Sequence, residues 1–194
     1  MRIRLLKGLL LALTVATVVL LSRGAWQLRR EAASRPGAPN RLTAVHPPAS
    51  DKSQAANEHQ MKVLEKALEK FPGHAPVLFQ MAQLESQQGR YREAERHLRE
   101  LLRSEAGNTG ARLELGRVLF QLGDVHGAIT QTEEILKSHP SDPEALYNLG
   151  AIYGNLGNDQ RAAEYWRKLV ASAPQTQSAK MAQLAMNRLQ MSTN

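Results

Sequence analysis

Apolar residues between positions 54 and 190 fall in short amphipathic segments that are separated by glycines, prolines and polar turns. Within a segment, apolar positions three or four residues apart lie on one face of a helix. In residues 75–108 the pattern predicts two helices, at about 76–88 and 91–104, joined at Gly89. The same pair of segments occurs twice more along the chain. The pattern therefore predicts an all-α domain built from helical hairpins.

The hairpins repeat every 34 residues without a gap, in blocks 75–108, 109–142 and 143–176. One column of the alignment holds glycine just after each first helix, where a left-handed residue ends the helix and only glycine adopts that conformation at low cost. Two further columns hold small residues, which let the paired helices approach closely. The three columns are Gly89, Gly123 and Gly157; Ala82, Gly116 and Gly150; and Ala94, Ala128 and Ala162.

Two flanking segments extend the array. Residues 54–74 continue the register backwards and predict the second helix of an incomplete leading repeat. Residues 177–190 predict an amphipathic capping helix whose Met181, Leu184, Ala185 and Leu189 cover the end of the last repeat. The residues predicted to fill the space between the helices are Leu78, Met81, Leu98, Leu101, Leu115, Leu119, Ile135, Leu149, Tyr153, Trp166 and Leu169.

The period and the chemistry of the columns resemble the tetratricopeptide repeat family over residues 54–190. Departures from the family pattern occur at Glu85, Ala106, Arg112 and Thr132. The resemblance implies a right-handed superhelical solenoid whose concave face is lined by the first helix of each repeat. The third block carries the signature most fully, at Leu146, Leu149, Gly150, Tyr153, Gly157, Ala162, Trp166 and Pro174.

The same resemblance implies a ligand surface on the concave face, with a peptide segment of a partner protein as the ligand. Aromatic side chains supply anchoring pockets and amides suit a peptide backbone. The alternative is that these are ordinary solvated helix residues. No basic clamp for a carboxylate tail is present. The implied partner-binding positions are Phe79, Gln80, Gln83, Leu113, Glu114, Arg117, Phe120, Tyr147, Asn148, Ala151 and Asn155, with Gln87 and Gln121 continuing the rows.

Composition and motifs argue against an enzyme. The 194-residue chain has no cysteine, which removes disulfides, thiolate nucleophiles and thiolate zinc sites. No phosphate-binding loop, His-Glu-x-x-His or Gly-x-Ser-x-Gly motif is present. Glu93 and His97 are spaced to share one ion, but no third ligand is near in sequence. We therefore predict no catalytic residue, no metal site and no cofactor.

The charge distribution argues against nucleic acid as a partner. The chain carries a net charge of +7. Residues 1–53 hold nine Lys or Arg and two acidic residues, whereas residues 54–194 hold sixteen of each. Basic side chains on the helix at 91–104 alternate with glutamates at spacings that give ion pairs. The repeat domain is therefore predicted to be neutral, with all the excess charge in the N-terminal segment.

Residues 1–30 predict a signal-anchor transmembrane helix with basic flanks. The stretch from Gly8 to Leu21 is uncharged and rich in Leu, Val and Ala, and Arg2, Arg4 and Lys7 precede it. A cleaved signal peptide, with its cut near residues 22–25, is the alternative. Residues 31–53 contain four of the nine prolines and little to bury, so they predict a flexible linker.

The domain order, together with the ending from Tyr165 to Leu189, is similar to small anchored tetratricopeptide subunits that help assemble bacterial c-type cytochromes or respiratory enzymes. The resemblance implies a single-pass protein of the bacterial inner membrane with a periplasmic repeat domain. A cleaved periplasmic chain and a cytoplasm-facing domain are the alternatives. The predicted function is an adaptor for assembly of a cell-envelope complex. The alternative is a structural or oligomerising protein, in which the Gly8/Ala12/Ala16 face or the edge helix packs against other copies.

Overall fold

The structure, a computed structural model, describes the backbone of residues 51–192 and the side chains of residues 55–189. The predicted membrane helix and residues 31–50 of the predicted linker lie outside the described residues. The described part consists of eight helices and contains no strand. They are α1 (Asp51–Lys70), α2 (Ala75–Gln87), α3 (Tyr91–Ser104), α4 (Thr109–Gln121), α5 (Val125–Ser138), α6 (Pro143–Asn155), α7 (Asp159–Ser172) and α8 (Gln177–Ser192).

The helix boundaries follow the repeat pattern closely. The helices predicted at 76–88 and 91–104 are observed as α2 and α3, within one residue at each end. Helix α1 begins at Asp51, so the last three residues of the predicted linker are helical. Residues 49–71 contain neither proline nor glycine, so no helix-breaking residue prevents α1 from extending back to Asp51.

The glycines after the first helices adopt the left-handed conformation that the sequence predicts. Gly89, Gly123 and Gly157 have φ of 76°, 84° and 72°. The residue after each glycine donates its N–H to a carbonyl five residues earlier, as in the 2.9 Å bond from Asp124 to Leu119. This pattern satisfies the last carbonyls of the helix while the chain reverses direction.

The small residues in the middle of α4 and α6 allow the two helices of a repeat to approach closely. A Cβ atom added at Gly150 would lie 2.3 Å from Nε1 of Trp166, and one added at Gly116 would lie 2.9 Å from Oγ1 of Thr132. Both distances are far below van der Waals contact. All eleven residues predicted to fill the space between the helices are buried.

Each helix packs against the next one along the chain, and the first helices also pack against each other. The Cα atoms of α2 and α4, of α4 and α6, and of α6 and α8 approach within 8 Å, whereas α3, α5 and α7 form no comparable pairs in residues 51–192. The stack is therefore tighter on the side of the first helices, which makes that side concave.

The capping helix α8 packs differently from the prediction. It buries Ala179, Ala182 and Ala185, whereas Met181 and Leu184 are 43% and 55% exposed. The prediction that Met181 and Leu184 cover the end of the last repeat was wrong. Leu184 stands in the column that faces the second helix within each complete repeat, and α8 is the last helix of the described chain. The side chain of Leu184 therefore has no following helix in the described chain to pack against.

Candidate functional site

The predicted partner-binding residues all lie on α2, α4 and α6, so the fold brings them to one side of the stack. We call this surface, extended by α8, the first-helix face. Nine of the eleven side chains are at least partly exposed there. These nine are Phe79, Gln80, Gln83, Glu114, Arg117, Phe120, Tyr147, Ala151 and Asn155.

The side chains of the other two, Leu113 and Asn148, are buried and serve the packing between repeats. Leu113 packs in a cluster with Ile135 of its own repeat and Ala145 of the third. The amide Nδ2 of Asn148 donates to Oγ1 of Thr132 at 2.9 Å, and that hydroxyl donates to the carbonyl of Ala128 at 2.8 Å. A ligand on the first-helix face would not reach these two side chains. The bonds of Thr132 also explain how a polar residue is accommodated where the family pattern has an aromatic one.

A chain of polar contacts links three successive first helices. Arg117 on α4 lies 3.3 Å from a carboxylate oxygen of Glu114 and 3.3 Å from one of Glu144 on α6. Glu144 in turn accepts a hydrogen bond from the hydroxyl of Ser178 on α8. Ion pairs this exposed contribute little stability. Because two carboxylates flank the one guanidinium, Arg117 itself is not free to bind an acidic partner.

The aromatic residues of the face have one side in the core and one side toward solvent. The ring of Tyr147 lies 6.5 Å from that of Trp166, whose indole N–H donates to the Tyr147 carbonyl at 3.3 Å. Burial, and then the nearby Glu144 carboxylate, raises the pKa of Tyr147 above its usual value. Phe79 and Phe120 pack against the core cluster formed mainly by α2–α5. These rings are therefore fixed in place and present an edge or a face to a ligand.

Two residues of the face were missed by the sequence prediction. Met181 on α8 was assigned to the cap, but it stands 34 residues after Tyr147 and continues the row of Phe79. The repeat period itself was the signal that could have found it. The second residue, Gln60, lies on α1, which is a second-type helix outside the family's ligand positions, so no pattern pointed to it.

Four glutamines surround a shallow depression at the start of the stack. Its volume is about 240 Å³, and it is lined by Gln60 from α1 and by Gln80, Gln83 and Gln87 from α2, with Leu84 among them. The four amide side chains are exposed, whereas Leu84 is buried. This depression, which we call the glutamine depression, lies on the part of the first-helix face formed by the first repeat.

His97, whose spacing from Glu93 suits a shared ion, is bound in the structure by Glu85 and Arg96. His97 Nδ1 lies 2.8 Å from Oε2 of Glu85, and both side chains are buried. Arg96 approaches His97 Nε2 at 3.0 Å. A guanidinium only donates hydrogen bonds, so Nε2 accepts from Arg96, and Nδ1–H donates a hydrogen bond to the Glu85 carboxylate. No group of three His, Asp or Glu side chains in the described residues is placed to hold a metal ion.

Within residues 51–192, none of the helices combines the length and apolarity that a bilayer-spanning helix needs.

Models of the tetratricopeptide repeat match residues 54–107, 85–143 and 143–176. The chain belongs to the tetratricopeptide repeat family. No curated protein matches its sequence.

Solved structures of other tetratricopeptide-type proteins share the fold. MamA from Desulfovibrio magneticus RS-1 is 18% identical with a TM-score of 0.57, over 72% of this chain and 87% of that one. A thermophilic tetratricopeptide protein of Thermus thermophilus is 16% identical with a TM-score of 0.61, over 74% and 77%. A tetratricopeptide repeat protein from Parabacteroides merdae is 19% identical with a TM-score of 0.60, over 73% and 56%.

These comparisons, together with the repeats, define the class of protein. Identities this low establish the fold and no more. Tetratricopeptide repeats form scaffolds for protein–protein interaction, so the chain is a protein-interaction scaffold.

Proposed function

We propose that this protein is a membrane-tethered adaptor that holds a peptide segment of a partner protein on its first-helix face, in the assembly of a cell-envelope complex. The adaptor acts by binding and not by catalysis, and it uses no cofactor. The N-terminal segment tethers the scaffold and keeps its face within about a linker length of the membrane.

The observation that carries this proposal is the chemistry of the first-helix face. It combines packed aromatic rings and exposed amides with an Arg117 guanidinium that is paired with two carboxylates. Aromatic anchors suit the apolar side chains of a bound segment, and amides suit its backbone. The face therefore favours an internal segment with apolar anchors over an acidic C-terminal tail.

The tether and its location rest on the sequence of residues 1–53. The apolar stretch between basic flanks supports an uncleaved anchor in the bacterial inner membrane, and we propose that the repeat domain faces the periplasm. A cleaved periplasmic chain and a cytoplasm-facing domain are the competing topologies. A cysteine introduced at an exposed site, such as Gln160, tests the topology with a thiol reagent that does not cross the inner membrane. In intact cells this reagent labels the cysteine only if the domain is periplasmic.

Site-specific photocrosslinking from intact membranes tests the adaptor function. A benzoylphenylalanine residue placed at Gln83, on the first-helix face, should capture a partner protein in the full-length chain. The same residue at Gln160, an exposed glutamine on the second helix α7, is the matched control. Identical adducts at the two positions would contradict the proposal. Phe120 and Tyr147 are unsuitable for substitution because both pack against the core.

A structural or oligomerising protein is the second candidate, and the exposed apolar side chains of the edge helix favour it. Met181 and Leu184 lie three residues apart on α8 and are both exposed. If this edge packs against another copy, the photocrosslinker at Leu184 should yield a self-adduct, and Gln83 should yield no partner adduct. The reverse pattern would eliminate this alternative.

A further inference from the structure

We infer that copies of this chain bind one another end to end, with α8 of one copy packed against α1 of the next. The inference goes beyond the proposed function, because it concerns the two edges of the array and holds whether or not the first-helix face binds a partner. Stacked copies leave the exposed side chains of α2, α4 and α6 open to a ligand.

The described array ends in half a repeat on each side. Helix α1 is a second-type helix with no first helix before it in residues 51–192, and α8 is a first-type helix with no second helix after it there. Val63 on α1 stands one 34-residue period before His97, and Asn187 on α8 stands one period after Tyr153. The two halves are therefore complementary, and α8 and α1 of two copies together supply the two helices of one hairpin.

The exposed apolar side chains of the array are concentrated at these two ends. In residues 55–189 the exposed large apolar side chains are Val63, Phe71, Leu156, Met181 and Leu184. All but Leu156 lie on α1, directly after it, or on α8. A helix that only caps an array has a polar outer face, whereas Met181 and Leu184 lie three residues apart on one side of α8. Both edges therefore carry apolar surface where the half repeat lacks its second member.

The complete repeats show which side chains would meet at such a contact. Tyr153 on α6 stacks on Tyr165 on α7, with ring centroids 5.7 Å apart. The equivalent positions at the contact are Asn187 on α8 and Val63 on α1, and both side chains are exposed. Leu184 stands in the column of small residues, so α8 and α1 would pack further apart than the two helices of a repeat.

The charges favour α1 of another copy over a second α8. Helix α8 carries Lys180 and Arg188 and no acidic residue. Two α8 helices packed together would bring only positive charges to their contact, which is unfavourable. Helix α1 carries the carboxylates of Glu58, Glu65 and Glu69 between its lysines. The contact is therefore between unlike surfaces, and a contact of this kind repeats from copy to copy.

Cysteine crosslinking in isolated membranes tests the arrangement, because the chain has no cysteine of its own. The full-length Val63→Cys/Asn187→Cys variant is treated with a bismaleimide that spans about 8 Å, close to the separation of packed helices. We expect a ladder of dimers, trimers and longer species that contain only this chain by mass spectrometry. The single variants Val63→Cys and Asn187→Cys should stay monomeric, because a contact between unlike surfaces does not bring two identical positions together.

Substitutions of exposed apolar residues provide the matched control. In the double-cysteine chain, Met181→Gln/Leu184→Gln should reduce the ladder at least fivefold. Leu156→Gln removes a similarly exposed leucine from between the two ends and should leave the ladder unchanged. Circular dichroism checks that both variants keep their helices. An equal loss of the ladder in the two variants would contradict the role of the α8 edge.

Three outcomes of the crosslinking would overturn the inference. Dimers from Asn187→Cys alone would show that two α8 helices pack together. An intramolecular crosslink without a ladder would show that the two ends of one copy meet. Monomers alone would show that the edges bind no other copy. The adaptor function stands in all three cases, because the photocrosslinker at Gln83 tests it separately and can fail while the ladder forms.

Discussion

The buried pair of Glu85 and His97 provides the sharpest test of how this scaffold is held together. Their side chains are 4% and 3% exposed, and the atoms Oε2 and Nδ1 are 2.8 Å apart. The pair stands where the third repeat stacks Tyr153 on Tyr165, with ring centroids 5.7 Å apart. In the first repeat a hydrogen-bonded carboxylate and imidazole therefore replace an aromatic contact.

Removing one partner should cost much more than removing both. The substitution His97→Leu leaves the Glu85 carboxylate buried without its hydrogen-bond donor, which costs about 1–3 kcal/mol, and more for a charged group. The double substitution Glu85→Leu/His97→Leu replaces both groups with apolar side chains. Such replacements are often neutral or stabilising, so we expect the double variant to lie within about 1 kcal/mol of the original chain.

Urea unfolding followed by circular dichroism at 222 nm measures these differences for the full-length chain in one detergent. We expect a coupling energy of at least about 2 kcal/mol between residues 85 and 97, well above the roughly 0.5 kcal/mol within which independent sites add. The matched control is the pair of Arg99 and Glu95 on α3, which are 2.9 Å apart but 50% and 20% exposed. Its coupling should stay below about 1 kcal/mol, because water screens it. Equal coupling in the two pairs would refute the reasoning.

Three further predictions concern single positions. Gly150→Ala should lower the free energy of unfolding by about 1–3 kcal/mol, because its Cβ would overlap Trp166. The control Gly110→Ala, whose Cβ meets nothing closer than 3.6 Å, should be neutral or stabilising. A chevron or urea titration compares the two variants. Arg90→Asn should stabilise the chain by about 1 kcal/mol and so raise its urea midpoint, because α3 lacks the side-chain N-cap bond that α5 and α7 have. A lower midpoint would count against this capping argument. Burial raises the pKa of Tyr165, so the stability that its neutral phenol contributes is present below about pH 10 and is lost as the pH rises through the raised pKa. Tyr165→Phe cannot ionise and should therefore shift alkaline unfolding to higher pH. An unchanged pH profile of unfolding would contradict this prediction.

The sequence alone was sufficient for the architecture because the repeat period averages over many local signals. Left-handed glycines and small residues at helix contacts are requirements of backbone geometry and sterics. These requirements act at the same place in every block, so the same residue type recurs at that place in all three aligned blocks. The eleven predicted core residues are buried for the same reason, and departures such as Thr132 did not disturb the register.

The candidate site was only partly predictable, because the neighbours of a helix decide which of its side chains reach solvent. Asn148 occupies a ligand position of the family, yet a hydroxyl from α5 draws its amide inward. Leu184 occupies a position that is buried in every complete repeat, yet it is exposed because it lies on the last described helix. Gln60 joins the first-helix face from a helix of the other type.

The sequence by itself therefore determined the repeat, the turns and the core, which depend on contacts that recur in every block. Only the tertiary structure decided that His97 is held by Glu85, that Arg117 reaches Glu144 on the next first helix and that the amide of Asn148 is bonded to Thr132. Those outcomes depend on pairs of side chains from different helices. Their separation in space is fixed by packing and not by spacing along the chain.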